Sequence, residues 1–226
     1  MIIITGASRG IGFFLLDKFI ALKQDVIGLY NNSIPDVHAE YMRKVDISKP
    51  DEVQAFAESI KDSLDKVILI NCAGANYSAF AHKADPLKWA NLININLIGT
   101  FNVINVFLTG MREQGYGRII NLSSVVAQKG IPGTSAYAAS KAGLWGMTKA
   151  ISAENAGKGI TINNLNLGYF QIGMIDEVPV NMQEAIKGNI PVNKFGSPDE
   201  ILKAVQYLIS TDYVTGTSLD INGGLF

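Results

Sequence analysis

The feature that most constrains this chain is a regular alternation of short apolar runs with segments of helical periodicity. Residues 1–5 form an apolar run that the glycines of 6–12 interrupt, after which Ile11, Leu15, Phe19 and Leu22 recur at the spacing of one helix face. Residues 26–30 read as a second strand, a third ends at Val45 after a polar loop, and 67–71 is a fourth. A long helix is expected within 86–111, a strand at 118–122, a helix over about 135–156, a strand at 160–165, and a last strand at 217–221. Ser48 is expected to cap a helix with Pro50 in its first turn, and Ser197-Pro198-Asp199-Glu200 reads as a capping box opening a helix to Ser210. The strands are apolar along their length rather than at every second residue. Such strands are buried on both faces, which predicts a mostly parallel sheet between two helix layers. Residues 169–196 stand outside the alternation and are the expected lid or binding loop.

At 226 residues, with no internal repeat or linker, one domain is expected. Charged residues are 17% of the chain and the formal net charge is -1, which argues against a nucleic-acid or anionic-membrane partner. So sparse a charge leaves room for apolar interfaces between subunits. Cys72 is the only cysteine, so no intramolecular disulfide can form, as suits a reducing cytoplasm. The first strand opens at Met1, and no targeting leader is expected before it. Residues 90–111 carry no charge and exceed the ~20 residues that span a bilayer. Asn91, Asn94, Asn96, Asn102 and Asn105 within that run would be costly in hydrocarbon, so a buried or interface helix of a soluble protein is expected.

Thr5-Gly6-Ala7-Ser8-Arg9-Gly10-Ile11-Gly12 lies between a strand and a helix. Glycines there let the backbone turn tightly and approach a pyrophosphate, while the helix N-terminus offers N–H groups and partial positive charge. Tyr137 and Lys141 are four apart in a helical segment and therefore share a face. A free phenol titrates at about 10, and bringing it to about 7 needs about 4 kcal/mol of differential stabilisation. A nearby ammonium and a second cation at ~4 Å supply that order of energy at an effective dielectric of about 20. Alone, such a pair is usually no more than a contact on a helix surface.

Taken together, these motifs resemble the short-chain dehydrogenase/reductase family. Besides the spaced glycines, Asn71-Cys72-Ala73-Gly74 is similar to its Asn-Asn-Ala-Gly, and Tyr137-Ala138-Ala139-Ser140-Lys141 to its Tyr-x-x-x-Lys. Ser124 stands 13 residues before Tyr137, and Asn96 matches the family's helix asparagine. The resemblance covers essentially the whole chain. It implies one doubly wound Rossmann-type domain with seven strands in the order 3-2-1-4-5-6-7, and a homodimer or homotetramer. It implies that Tyr137 exchanges a proton with the substrate oxygen, that Ser124 hydrogen-bonds the same oxygen, that Lys141 lowers the phenol pKa and holds the nicotinamide ribose, and that Asn96 supports a water leading from Lys141 to solvent. The expected cofactor-binding residues are Gly6, Ser8, Arg9, Gly10, Ile11, Gly12, Asn31, Asp46, Ile47, Asn71, Ala73, Gly74, Tyr137, Lys141, Gly168 and Ile172.

The second strand ends in Tyr30-Asn31-Asn32-Ser33, without the acid that binds a ribose 2′-hydroxyl in NAD-preferring folds. With Arg9 free to pair with a 2′-phosphate, NADP is the expected cofactor and NAD the lesser alternative; a solvated loop charge is the other reading of Arg9. Asp46 resembles the family's acid beside adenine, or is a turn aspartate. Ser123 is one residue off the expected register and should face the other way on its strand, Ser140 caps or packs, and Cys72 is an inert buried thiol. His38 and His82 read as loop residues, and no metal is expected. After the sixth strand Leu167 and Ile172 replace the family's proline and threonine, which puts side-chain anchoring of the nicotinamide in question. Met174, Ile175, Val178, Pro179, Val180 and Met182 suit an apolar substrate pocket or lid packing equally. A reductase of 3-oxoacyl thioesters or small ketones leads. The alternatives are a dehydrogenase of sugars or other polar alcohols and a non-catalytic cofactor-binding protein. A sugar-nucleotide epimerase fits less well, for want of its glycine spacing and its substrate domain.

Overall fold

The computed structural model describes residues 1–173, 175 and 178–226. The strands are β1 (Ile2–Thr5), β2 (Val26–Tyr30), β3 (Met42–Lys44), β4 (Ile68–Asn71), β5 (Gly117–Ser124), β6 (Ile160–Leu167) and β7 (Ser218–Ile221). The α-helices are α1 (Gly10–Ala21), α2 (Pro50–Ile60), α3 (Pro86–Ile93), α4 (Gly99–Gln114), α5 (Val126–Lys129), α6 (Ser135–Asn155), α7 (Val180–Gly188) and α8 (Pro198–Ser210). The sheet order is β3-β2-β1-β4-β5-β6-β7, and all six pairings are parallel. This is the expected doubly wound fold.

Alternate residues of each inner strand enter different cores. Ile2, Ile4, Ile70, Ile120 and Leu165 pack against α1 and α8 on one face, with Leu15, Leu16, Ile201 and Val205. Ile3, Leu69, Ile119 and Ile162 pack on the other face against Val53 of α2, Val103 and Phe107 of α4, and Ile151 of α6. Each fully buried aliphatic side chain contributes about 1.5–3 kcal/mol relative to exposure.

The strands are less uniformly apolar than expected. On the α6 side, Thr5, Asn71, Asn121, Asn164 and Ser218 stand in register across five strands. A second row, Ser123, Asn166 and Asp220, follows toward the carboxyl ends. Buried amides are tolerated where they find partners. Here Asn71 Nδ2 donates to Asn121 Oδ1 at 2.8 Å, Thr148 of α6 donates to Asn164 at 2.9 Å, and Asn164 Nδ2 donates to Ser218 at 3.0 Å.

The long helix of 86–111 is broken in its middle. Asn94–Ile98 is one π-helical turn between α3 and α4, an irregularity that often marks a functional position. Residues 86–114 are long and apolar enough to cross a membrane, yet Leu92, Asn96, Val103, Ile104, Phe107 and Met111 are buried in the protein's own core. Two capping expectations change. Lys49, not Ser48, precedes α2, because Ser48 is engaged by Asp46. Ser197 does cap α8, but from Asp199 N–H, and Glu200 pairs with Lys203 instead of closing the box. Within 169–196, Ile175, Ile190 and Phe195 form a small core with Val125 and Leu225, against which Val178 also packs, whereas Val180 and Met182 are exposed. These side chains therefore favour lid packing; Met174 lies outside the described residues.

Candidate active site

The glycine loop leaves β1 in a conformation and a space that exclude side chains. Gly6 has φ +65°, and a Cβ there would lie 2.6 Å from Ala73 Cα. A Cβ on Gly12 would lie 2.3 Å from the Gly6 carbonyl oxygen. Thr5 Oγ1 accepts the Ala73 N–H at 3.1 Å, which ties this loop to the turn after β4. Arg9 stands at the N-cap of α1 in extended conformation, and its side chain does not cap the first turn. Unsatisfied N–H groups at a helix start attract phosphate. A close-packed glycine cradle with an uncapped helix behind it fits a pyrophosphate. Ser8 is half-buried there, Arg9 and Asn31 are exposed, and Ile11 packs against the first core.

Asp46 accepts the Ser48 N–H at 3.0 Å and the Ser48 hydroxyl at 2.7 Å on one carboxylate oxygen. Burial works against its charge but is outweighed by those bonds, Lys49 and the Asn31 amide, so its carboxyl titrates below the usual range. Asn31 and Asp46 are thus neighbours, and Asp46 is a turn aspartate whatever else it does. The Ile47 side chain is buried against Gly99, with its carbonyl accepting from Asn102 at 2.9 Å.

The remaining candidates gather around α6. A Cβ on Gly74 would lie 3.5 Å from Asn96 Oδ1 and 3.7 Å from Lys141 Nζ, so these three groups share one place. The π turn lets fully buried Asn96 grip Ala75 from both sides: Oδ1 accepts its N–H at 2.7 Å and Nδ2 donates to its carbonyl at 3.0 Å. Asn96 Nδ2 also donates to Ser140 Oγ at 3.2 Å, and Ser140 Oγ donates to the Tyr137 carbonyl at 2.8 Å. Ser140 therefore joins the asparagine to the tyrosine's helix rather than simply packing. Lys141 Nζ donates to the Leu122 carbonyl at 2.7 Å and lies 5.7 Å from the centre of the Tyr137 ring. Ser124 Oγ accepts the Val126 N–H at 3.2 Å, whereas Ser123 Oγ donates to the Lys141 carbonyl at 3.1 Å, on the opposite side of β5.

Tyr137 is only 9% exposed and packs with Leu92 and Ala136, flanked by Tyr77, Trp89 and Val126. Burial pushes its phenol up to about 12, against a hydrogen bond from Ser124 that pulls it down. Burial likewise pushes Lys141 down to about 8, opposed by Cys72. The expectation that Lys141 lowers the phenol is thus not met in the protein alone. Desolvation penalises both charged forms, and the ammonium is bonded to a backbone carbonyl. Burial also pushes the Cys72 thiol up to about 12, with Lys141 opposing, as an inert thiol requires.

Three expected cofactor residues sit deeper than their motifs implied. Asn71 is 3% exposed and spends its side-chain N–H on Asn121. Gly168 is required by packing, since a Cβ there would lie 2.7 Å from Asn222 Cα. Ile172 is partly buried against the same core as Cys72. His38 bonds Asp17 at 3.0 Å, and no cluster of three metal-ligating side chains occurs among the described residues. A hollow of about 370 Å³ lies between 169–196 and α8, lined by Phe170, Phe195, Glu200 and Asn222 among others, and includes none of Ser124, Tyr137 or Lys141.

The short chain dehydrogenase family model matches residues 1–183. An acetoacetyl-CoA reductase of Rhizobium meliloti (strain 1021) is 37% identical, over 99% of this chain and 97% of that protein. Nodulation protein G of Azospirillum brasilense is also 37% identical, over 99% and 96%. A 3-oxoacyl-(acyl-carrier-protein) reductase of Pseudomonas aeruginosa is 34% identical, again over 99% and 96%. With that match, the parallel sheet and the glycine cradle beside Tyr137 and Lys141, the chain belongs to the short-chain dehydrogenase/reductase family, NAD(P)-dependent oxidoreductases of alcohol and carbonyl groups.

Proposed function

We propose that this protein reduces the keto group of 3-oxoacyl thioesters, or of small ketones, at the expense of NADPH. The observation that carries the reading is the convergence of Ser124, Tyr137, Lys141, Asn96 and Gly74 beside a glycine cradle that excludes side chains. The acetoacetyl-CoA reductase and the 3-oxoacyl-(acyl-carrier-protein) reductase named above, each matched over nearly the whole of this chain, support the choice of substrate. When bound, the nicotinamide supplies the hydride. Tyr137, a phenol and therefore protonated at neutral pH, donates its proton to the carbonyl oxygen as negative charge develops there. The Ser124 hydroxyl donates a hydrogen bond to the same oxygen. Lys141, with its ammonium fixed at Leu122, holds the ribose and favours the phenolate that remains, and Asn96 orders the path by which a proton returns.

Preference for NADP rests on charge. Arg9 is exposed at the cradle, and Asn31, Asn32 and Ser33 place no carboxylate where a 2′-phosphate would lie. Backbone groups between Gly168 and Gly173 take over the carboxamide contact that Ile172 cannot make by side chain, and 169–196 acts as the lid. We read the protein as a soluble cytoplasmic homodimer or homotetramer. Ile98 and Phe101, 46% and 45% exposed within the uncharged run 90–111, support a subunit contact there. Oxidation of a sugar or another polar alcohol is the second reading, and a wholly non-catalytic role is disfavoured by the retained Tyr137–Lys141 pair. The test is a cofactor-coupled screen of acetoacetyl-CoA, small ketones and sugars with NADPH or NADH. Acetoacetyl-CoA with NADPH should give the highest kcat/KM; a clear preference for NADH or for sugars would overturn the assignment.

A further inference from the structure

Trp145 lies one turn beyond Lys141 on α6. Its indole N–H points at two acceptors, Ser123 Oγ and Asn166 Oδ1, both at 2.9 Å. Ser123 passes the contact on by donating to the Lys141 carbonyl at 3.1 Å. Asn166 passes it the other way, from Nδ2 to Asp220 Oδ1 at 2.8 Å. The same carboxylate oxygen accepts from Gln128 Nε2 of α5 at 2.9 Å, and only Val125 separates α5 from Ser124. The chain from Gln128 back to Ser123 closes the ring. Five elements are joined in it: α5, β5, α6, β6 and β7.

We infer that the ring Ser123–Trp145–Asn166–Asp220–Gln128 positions the catalytic group, with Trp145 as its central positioning residue. Lys141 is held to β5 at both ends, by Nζ on the Leu122 carbonyl and by its own carbonyl under Ser123. Apolar packing alone lets a helix slide over a sheet by fractions of an ångström, whereas a hydrogen bond weakens steeply with distance and angle. The ring fixes α6 and its Tyr137–Lys141 face against β5 and its Ser124. Supporting bonds of this kind keep a site within about 0.5 Å of productive geometry, and a 1 Å misplacement costs about a hundredfold in rate. Two of the five side chains, Ser123 and Asn166, are buried at strand positions where an aliphatic residue would otherwise fill the core, a placement that core packing alone does not require.

The inference rests on the catalytic reading of Tyr137, and the test separates the two. Trp145→Phe keeps the aromatic ring and removes the N–H. With acetoacetyl-CoA and NADPH, kcat is expected to fall about tenfold, a fraction of the loss from a full 1 Å misplacement. KM for NADPH should change less than kcat, since Gly6, Gly10 and Gly12 make none of the ring's hydrogen bonds. With 3-hydroxybutyryl-CoA and NADP, the rise in oxidation rate with pH should move up by about half a unit, because a loosened Lys141 favours the phenolate less. Trp145→Phe combined with Ser123→Ala should be no worse than the more damaging single change. A lowered Tm with wild-type kcat and an unmoved pH limb would overturn the inference. Should Trp145→Phe fail to fold, Gln128→Leu opens the same ring from half-buried α5 and must move the same limb, or the inference fails. If Tyr137→Phe turns over normally, the catalytic reading has failed instead; if Tyr137→Phe is inactive and both ring variants behave as wild type, only the ring is wrong.

Discussion

Replacing Gly12 by alanine is expected to weaken cofactor binding by at least about a hundredfold without unfolding the chain. An added Cβ would stand 2.3 Å from the Gly6 carbonyl oxygen, 2.8 Å from the Gly6 carbonyl carbon and 3.2 Å from Ala7 Cα. All three are backbone atoms, so no side chain can rotate away. Restoring ordinary contact, which begins near 3.4 Å, moves the start of α1 or the loop by about 1 Å. A 2.9 Å hydrogen bond stretched by that amount no longer counts as one. Each charge-assisted bond from a first-turn N–H to a phosphate contributes about 1.5–3 kcal/mol, so losing two weakens binding by about a hundredfold or more. Overpacking itself costs about 1–3 kcal/mol, which a domain of this size survives. The assay is a fluorescence titration with NADPH on protein whose fold is checked by circular dichroism. Gly146→Ala is the control: nothing lies within 4 Å of a Cβ there, and alanine in a helix should raise stability by about 0.5–1 kcal/mol. Wild-type NADPH affinity in a folded Gly12→Ala protein would refute the close-packed cradle.

Other outcomes follow from the same geometry. Arg9→Glu should reverse the cofactor preference toward NADH, read as the ratio of kcat/KM for the two cofactors, while kcat with NADH changes little. Asn96→Leu removes both bonds to Ala75 and the bond to Ser140 from a fully buried site, and should lower stability by about 3 kcal/mol and turnover at least tenfold, read by melting and steady-state rates. Stability should also depend on pH in a definite sense. Lys141 is held near 8 when folded and at its ordinary 10.5 when unfolded, so the unfolded chain binds more protons above pH 8 and stability rises. Cys72 and Tyr137, both held near 12, begin to oppose this above their ordinary 9 and 10. Between pH 8 and 9 the wild type should therefore gain about 1 kcal/mol relative to Lys141→Met, measured by denaturant unfolding.

Much of the architecture was legible because parallel strands buried on both faces leave an apolar signature that helices then interrupt. The glycine loop was legible for a related reason, since φ +65° at Gly6 and the 2.3 Å approach at Gly12 admit no other residue. What escaped the sequence depends on register. Asn121, Asn164 and Asn166 look like interruptions of apolar strands until the sheet aligns them with Asn71, Ser218 and Asp220. Ser48 has a capping residue's position, but Asp46 two residues earlier competes for its hydroxyl and its N–H. The π turn at Asn96 carries no periodicity signal, and the grip on Ala75 that it permits joins residues far apart in sequence. Tyr137 and Lys141 were placed correctly on one helix face, yet their electrostatics ran opposite to expectation: pairing is visible in spacing, whereas desolvation is visible only in the folded chain.

The central claim is that Tyr137 is the proton donor in a carbonyl reduction. Its most direct test is Tyr137→Phe, assayed with acetoacetyl-CoA and NADPH beside a titration of NADPH affinity. Removal of the acid should lower kcat by about 10²–10⁴ while NADPH Kd stays within about twofold. Turnover within threefold of wild type, at unchanged affinity, would contradict the account.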